Sequence, residues 1–183
     1  MSDFTKAPVL FGPKGVLSTT DADHCELAWS ALANANAFSA STAWGTANLA
    51  LYIPVQLDIP VKVYKMSVMN GATLGGNTDV GIYDEEGVRR VSIGPTAQAG
   101  ISSLQTFDIT DTFLMPGTYF LALANTTTTA TYICASMNVP RPRAAGVVEQ
   151  TGLTSGTLPN PATFAAYTRT FVPAIAAHYQ TVV

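Results

Sequence analysis

Residues 78–124 limit the possible folds more than any other part of the chain, because they spell out strand, turn, strand and a further strand in one run. Val80 and Ile82 alternate with Gly81 and Tyr83, the period of two expected of a strand. Asp84-Glu85-Glu86-Gly87 follows, a short polar loop ending in the residue that best accepts a left-handed backbone. It predicts a type I turn closed by glycine. Val91 and Ile93 resume the alternation on the return strand. Met115-Pro116-Gly117 predicts a type II turn, with proline pre-set in φ and glycine supplying a positive φ. The strand after it is apolar on both sides, with Tyr119, Leu121 and Leu123 on one and Phe120, Ala122 and Ala124 on the other.

The same signals extend outward from this core. Strands are expected over 47–55, 60–69, 78–84, 88–94, 104–109, 117–125 and 130–137. Their boundaries are set by Asp58-Ile59-Pro60, Asn70-Gly71, Gly75-Gly76-Asn77, Gly94-Pro95, Asp111 and Asn125. Short strands with no helices between them predict an all-β protein, an antiparallel β-sandwich of jelly-roll type. In the second strand Met66 and Val68 share a face with Tyr64 while Val61 and Val63 lie on the other, which points to a bulge or a change of neighbour. The flanks are less regular. Residues 1–43, punctuated by Pro8, Gly12-Pro13 and Gly15, read as an N-terminal arm or set of loops, with one or two helical turns over 27–33. Residues 139–183 carry Pro140, Pro142, Pro159, Pro161 and Pro173 and read as a Pro-rich tail, with one added strand within 162–172. So apolar a tail needs a cover, either the sandwich of residues 44–138 or a neighbouring subunit.

Charged residues make up 11% of the chain, against about 25% in ordinary soluble domains. A surface so poor in charge, together with a strand apolar on both faces, leads us to expect a homo-oligomer. The net charge is −3 and no basic run occurs, which argues against nucleic acid as a partner. Arg141-Pro142-Arg143 reads as a solvated or partner-facing loop. Met1-Ser2-Asp3-Phe4 lacks a basic-then-apolar leader, and the longest apolar stretch, 49–55, is too short to span a bilayer and contains Pro54. Synthesis in a cytoplasm with no membrane anchor is therefore expected. Cys25 and Cys134 are too sparse for a disulfide framework and are expected to be free, small apolar residues.

Three groups of residues invite a chemical reading. Asp21-Ala22-Asp23-His24-Cys25-Glu26 holds possible metal ligands and a Cys–His pair, but adjacent residues point in different directions and rarely make a site alone. Asp79, Asp84, Glu85 and Glu86 are hard-oxygen ligands of the kind calcium takes, without the DxDxDG spacing, and fit a solvated hairpin tip better. Trp29, Trp44, Tyr52, Tyr64 and Tyr83 raise carbohydrate binding on an exposed aromatic platform, although aromatics within strands belong more often to cores or interfaces. No HExxH, CxxC pair or GxSxG occurs, so no catalytic residue, metal or cofactor is expected.

Three segments together resemble a family. Asn48-Leu49-Ala50-Leu51-Tyr52-Ile53-Pro54-Val55, then Val80-Gly81-Ile82-Tyr83-Asp84-Glu85-Glu86-Gly87, then Leu114-Met115-Pro116-Gly117-Thr118-Tyr119-Phe120-Leu121-Ala122-Leu123-Ala124 are similar to a β-sandwich of tailed-bacteriophage virion proteins. That family includes head decoration or cement proteins, head fibres and tail-tip proteins. The resemblance covers roughly residues 44–175, including a Pro-rich ending from Leu158-Pro159 to Val172-Pro173. It implies a non-enzymatic structural protein of the virion, foremost a capsid decoration or cement protein. Its partners would be the major capsid protein or other virion proteins and further copies of itself, a trimer by analogy. The alternative it leaves open is a receptor-binding module of a tail or head fibre, with a host glycan as ligand. Phe4, Phe11 and Trp29 in the arm and Phe164, Tyr167 and Phe171 in the tail are the expected interface residues, because segments with little regular structure gain order by docking.

Overall fold

The computed structural model describes residues 17–21, 24–27, 38–136 and 138–182, with side chains described from residue 41 onward. In chain order the strands are β1 (Leu17–Asp21), β2 (His24–Leu27), β3 (Phe38–Ala43), β4 (Leu49–Leu57), β5 (Val61–Met69), β6 (Asn77–Asp84), β7 (Arg89–Ser92) and β8 (Thr96–Ala97). They continue as β9 (Leu104–Leu114), β10 (Gly117–Asn125), β11 (Thr131–Ser136), β12 (Val148–Gln150), β13 (Ala165–Ala166), β14 (Phe171–Pro173) and β15 (Ile175–Thr181). Among the described residues one short helix, α1 (Pro140–Ala144), lies between β11 and β12. The protein is all-β and its strand pairs are antiparallel, consistent with a β-sandwich.

One sheet runs β1-β2-β15-β5-β9, a second β13-β12-β4-β10-β6-β7 with β8 also on β6, and a third β14-β11-β3. The inner faces of all three meet in one core. Val63, Met66, Val68, Phe107 and Ile175 come from the first sheet, Leu51, Ile53, Val80, Ile82, Leu121 and Leu123 from the second, and Tyr132, Cys134 and Val172 from the third. Trp44 packs edge-on against Tyr132, ring centroids 5.1 Å apart, and its indole N–H donates to the Leu49 carbonyl at 3.2 Å.

Each strand expected over residues 47–137 is present, and the local reasons hold. The β6–β7 turn closes at Gly87, φ +81°, whose N–H donates to the Asp84 carbonyl, while the Asp84 side chain accepts from Val88 N–H at 2.7 Å. The switch within β5 is a bulge at Tyr64: consecutive His178 and Tyr179 of β15 pair with Lys65 and Val63, which brings Val61, Val63, Met66 and Val68 into the same core, and β9 answers with residues 109–111 opposite Tyr64. Pro54 stands in the middle of β4 without breaking the sheet. β12 pairs with β4 only at Ala50, Leu51 and Tyr52, so no ladder bond to β12 is asked of Pro54.

The turn at Met115-Pro116-Gly117 differs from expectation. Gly117 has φ 159°, which is extended backbone, and it is already the first residue of β10. The flanks differ more. The described parts of 1–43 are strands: β1 and β2 form a hairpin joined to β15, and β3 pairs with β11. Of the helical run expected over 27–33, Leu27 ends β2 and the rest lies outside the described residues. The tail is woven into the sheets. β14 pairs with β11, and β15 is an inner strand between β2 and β5. The divisions at residues 43 and 138 therefore do not separate packed units; strands from both flanks complete the sheets of the middle segment.

Candidate functional site

The second sheet is covered on both sides. Its outer face carries Ala50, Tyr52, Tyr83, Ala122 and Ala124, and residues 153–164 of the same chain lie across it with Leu153, Leu158 and Phe164. Tyr52 meets Tyr83 and Phe164 edge-on, at 5.2 and 5.0 Å between centroids. Polar bonds fasten this cover along its length. Tyr83 Oη donates to the Pro159 carbonyl, Tyr52 Oη to Gln150 Oε1, and Arg89 Nη1 to the Leu158 carbonyl at 2.6 Å. Gly81 is needed beneath it, since a Cβ there would stand 2.6 Å from the Val91 carbonyl and 3.0 Å from the Leu158 side chain.

Asp79 is buried at this junction. It accepts from Leu158 N–H at 2.9 Å, Gly94 N–H at 3.1 Å and Ser92 Oγ at 3.4 Å. Burial pushes its carboxyl up from the ordinary range, against the lowering effect of those donors and of Arg89. Asp84 is also buried and pairs with Arg90 at 2.7 Å, while Glu85 and Glu86 are exposed. The four carboxylates considered for calcium are thus divided between a buried clasp, a turn and solvent. Among the described residues no group of three or more His, Cys, Asp or Glu stands close enough to hold a metal ion.

The Asp21–Glu26 group folds as the β1–β2 hairpin, with Asp21 paired to His24 and Thr19 to Cys25, and Ala22 and Asp23 lie outside the described residues. Cys134 is a free, buried thiol, pushed up to about 12 by burial, so it is a poor nucleophile. A pair missed by motif reading is Ser67 and His178. Ser67 Oγ lies 2.7 Å from His178 Nε2 and 3.2 Å from Thr106 Oγ1, which ties β15, β5 and β9 together. The two residues are 111 apart in sequence and only the sheet register unites them. Ser67 is 1% exposed, so its hydroxyl is closed to a substrate. Near one end of the sheets Asn70, Gln98 and Gln105 form a buried amide network with the carbonyls of Ala97, Ala99 and Thr131. Asn125 joins Thr78 and Tyr132 in another. Both networks fix register.

Of the aromatics considered for sugar binding, Trp44, Tyr52 and Tyr83 are fully buried, Tyr64 is half-buried with its ring 6.5 Å from that of His178, and Trp29 lies outside the described residues. Of the expected interface residues, Phe4, Phe11 and Trp29 also lie outside them. Tyr167 and Phe171 are in the chain's own core, and Phe164 packs on Tyr52 and Phe120. Arg141 and Arg143 sit on α1, and Arg143 Nε donates to the Tyr167 carbonyl.

What remains open is a surface. Phe113, Met115 and Ile101 are 68%, 66% and 65% exposed, and Leu104 is 47% exposed. All four lie on or just beyond β9, which with β1 forms the margins of the first sheet. Phe113 stands opposite Lys62, itself opposite Gln180, and the exposed Val182 follows at the same end, its N–H donating to the Pro60 carbonyl. No protein-family model, curated protein or solved structure matches the chain.

Proposed function

We propose that this chain is a non-enzymatic structural protein of a bacteriophage virion, a capsid decoration or cement protein of jelly-roll type that holds the shell by burying surface against it. The observation that carries this reading is the placement of the residues behind the resemblance. Residues 48–55, 80–87 and 114–124 fold largely into three adjacent strands of one sheet, in the order β4-β10-β6. A likeness spread over unrelated loops would mean little; this one coincides with the unit around which both cores are built. β10 enters between β4 and β6 while β5 and β9 lie in the other sheet, the kind of crossing from which jelly rolls are made.

The partners are the major capsid protein or other virion proteins, together with further copies of the chain. Contacts repeated over many copies gain strength through multivalency even when each is modest. Burial of Trp44, Tyr52 and Tyr83 withdraws three of the five aromatics weighed for a glycan platform, which favours cementing over a glycan-binding fibre module. Cryo-electron microscopy of particles from the genome encoding this chain tests the reading. Density for the sandwich on the outer surface of the head is expected. Density only at the tail tip would overturn cementing in favour of receptor binding, and absence from the particle would overturn both.

A further inference from the structure

Asn70-Gly71 follows β5 directly and is the one Asn-Gly pair in the chain. The dipeptide is a turn signal in the sequence, but the fold has a separate reason for each residue. Asn70 is fully buried. Its Nδ2 donates to the Ala99 carbonyl at 2.6 Å and to Gln105 Oε1 at 2.9 Å, and its Oδ1 accepts from Gln98 Nε2 at 3.0 Å. All three partners come from residues 98–105, the stretch between β8 and the start of β9. Gly71 is held from another side, its N–H donating to the Thr131 carbonyl of β11 at 2.9 Å. A Cβ there would run into Ser41 Oγ and the Thr131 side chain, which calls for glycine. Packing has therefore placed together the two residues most open to ring closure. Glycine has no Cβ to hinder its own nitrogen as it approaches the asparagine side chain.

We propose that Asn70-Gly71 is a self-modifying site that the fold holds shut: inert in the closed chain, it deamidates once residues 98–105 and β11 both release it, and its product opposes reclosing. In the reaction the Gly71 nitrogen gives up its proton to hydroxide and attacks Asn70 Cγ. The new N–Cγ bond forms as Cγ–Nδ2 breaks, and ammonia leaves with a proton from water. Water then opens the five-membered imide at either carbonyl, leaving aspartate or an iso-aspartyl link at position 70. The closed structure restrains both reacting groups, since the Gly71 nitrogen is tied to Thr131 and the Asn70 amide is held at three points. Freeing one alone is not enough, because the two sets of bonds reach different elements. The product is disfavoured for a matching reason. A carboxylate at position 70 would face the Ala99 carbonyl and Gln105 Oε1, two acceptors left without their donor. Gln105 cannot turn its amide round without loss, since its Oε1 also accepts from Ala99 N–H and its Nε2 donates to the Ala97 carbonyl. The iso-aspartyl link would add a backbone carbon where Gly71 has no room. A local opening that lasts long enough thus leaves a permanent mark on the chain.

Deamidation at position 70 of the full chain, followed by peptide mass spectrometry in mildly alkaline buffer with and without denaturant, tests this. The folded chain is expected to react at least about a hundredfold more slowly than the unfolded one. At intermediate denaturant the rate should rise in step with hydrogen exchange at the Gly71 N–H, because both need that group free. Gln105→Ala removes an acceptor of the Asn70 amide and should quicken the reaction of the folded chain about tenfold. Asn70→Asp reproduces one product, and its ratio of folded to unfolded chain should fall about tenfold or more. Should Gln105→Ala not fold, the natural chain decides through its rates and its Gly71 exchange. Equal rates in the folded and unfolded chain, a rate unrelated to Gly71 exchange, a folded Gln105→Ala variant that reacts no faster, or an Asn70→Asp variant as stable as the natural chain overturns the proposal. The site does not depend on the virion reading, and a chain found outside the particle leaves it untouched.

Discussion

β9 and β10 are consecutive strands, separated only by Met115 and Pro116, yet their surroundings are opposite. β10 lies between β4 and β6 and is buried or half-buried along its whole length, Leu121 and Leu123 toward the shared core and Ala122 and Ala124 toward the chain's own cover. β9 alternates between buried Phe107 and Ile109 and exposed Thr106, Asp108 and Thr110, and lies at an edge. A strand apolar on both faces is a reason to expect another subunit. Its second face is covered instead by residues 153–164, an irregular segment of the same molecule. Apolar patterning reports that a cover exists and says nothing about whose it is. Among the described residues, the large exposed apolar side chains gather instead at the strand whose pattern is ordinary.

The largest expected effect separating the two regions is alkaline unfolding. The groups whose protonated form the fold favours sit on or against the buried layers: Tyr52 on β4, Tyr83 on β6, Tyr132 and Cys134 on β11, and Tyr167 before β14. Burial is the first cause in each case. Cys134 moves from 9.0 to about 12 and Tyr132 from 10.0 to about 12, and the other three move the same way. A folded pKa raised above the unfolded one means stability that is whole below the unfolded value and lost as pH rises toward the folded one. Urea midpoints should therefore hold steady on this account up to about pH 9 and fall steeply above it. Each tenfold difference in a group's acidity between the folded and unfolded chain is worth about 1.4 kcal/mol. A midpoint unchanged well above that pH would mean that these side chains are not sealed from water.

Next in size is a pair of truncations. Leu123→Ala empties a site in β10 that is fully buried, and it should cost about 2–5 kcal/mol. Phe113→Ala in β9 removes a larger side chain from an exposed position, and it should change unfolding free energy by no more than about 0.5 kcal/mol in the monomer. Comparable losses from the two, measured by denaturant unfolding at low concentration, would erase the distinction between the strands.

The distinction is partly legible in the sequence, for physical reasons. β4, β5, β6, β7, β9, β10 and β11 announce themselves through alternation and local turn residues, and the bulge at Tyr64 shows itself as a switch of apolar face. β15 does not. Ile175-Ala176-Ala177-His178-Tyr179 follows closely on Pro173 and has no turn signature of its own, and its partners β2 and β5 are supplied by distant parts of the chain. Gly117 misleads because Pro-Gly usually reports a type II turn with a left-handed glycine, whereas this glycine is extended at φ 159°. Phe164, Tyr167 and Phe171 read as docking residues because the segment around them lacks period. Tyr167 and Phe171 are buried in the chain's own core and Phe164 packs half-buried on Tyr52 and Phe120; Phe164 and Tyr167 lie in irregular chain, where tertiary burial leaves no periodic trace. The Ser67–His178 pair is out of reach for the same reason that β15 is.

A smaller effect tests how the cover over β10 is held. Tyr83→Phe keeps the ring against Tyr52 and removes only the hydroxyl that donates to the Pro159 carbonyl. A loss of about 1 kcal/mol is expected, with a local rise in hydrogen exchange at Leu158 and Ala162, whose N–H groups bond Asp79 and the Gly87 carbonyl. Leu104 and Phe113 should keep their solvent accessibility in that variant. A change at β9 as large as that at residues 158–162 would mean that the cover and the edge are coupled, and β9 could not then be treated as an independent surface.

The smallest effect is expected at the ion pairs of β9 itself. Lys65–Asp108 spans 3.5 Å with side chains 43% and 85% exposed, so water screens both charges and little is gained by holding two long side chains in place. Glu149–Arg169 makes the contrast: Glu149 is buried and also accepts from Thr168 N–H and Oγ1, which binds β12 to the chain following β13. Arg169→Ala would strand a buried carboxylate, whereas Lys65→Ala should change the stability of the monomer by no more than about 0.5 kcal/mol, and by less again in high salt. Urea unfolding of the two variants side by side checks this, and a loss from Lys65→Ala as large as that from Arg169→Ala would place Lys65 in the fold's own framework.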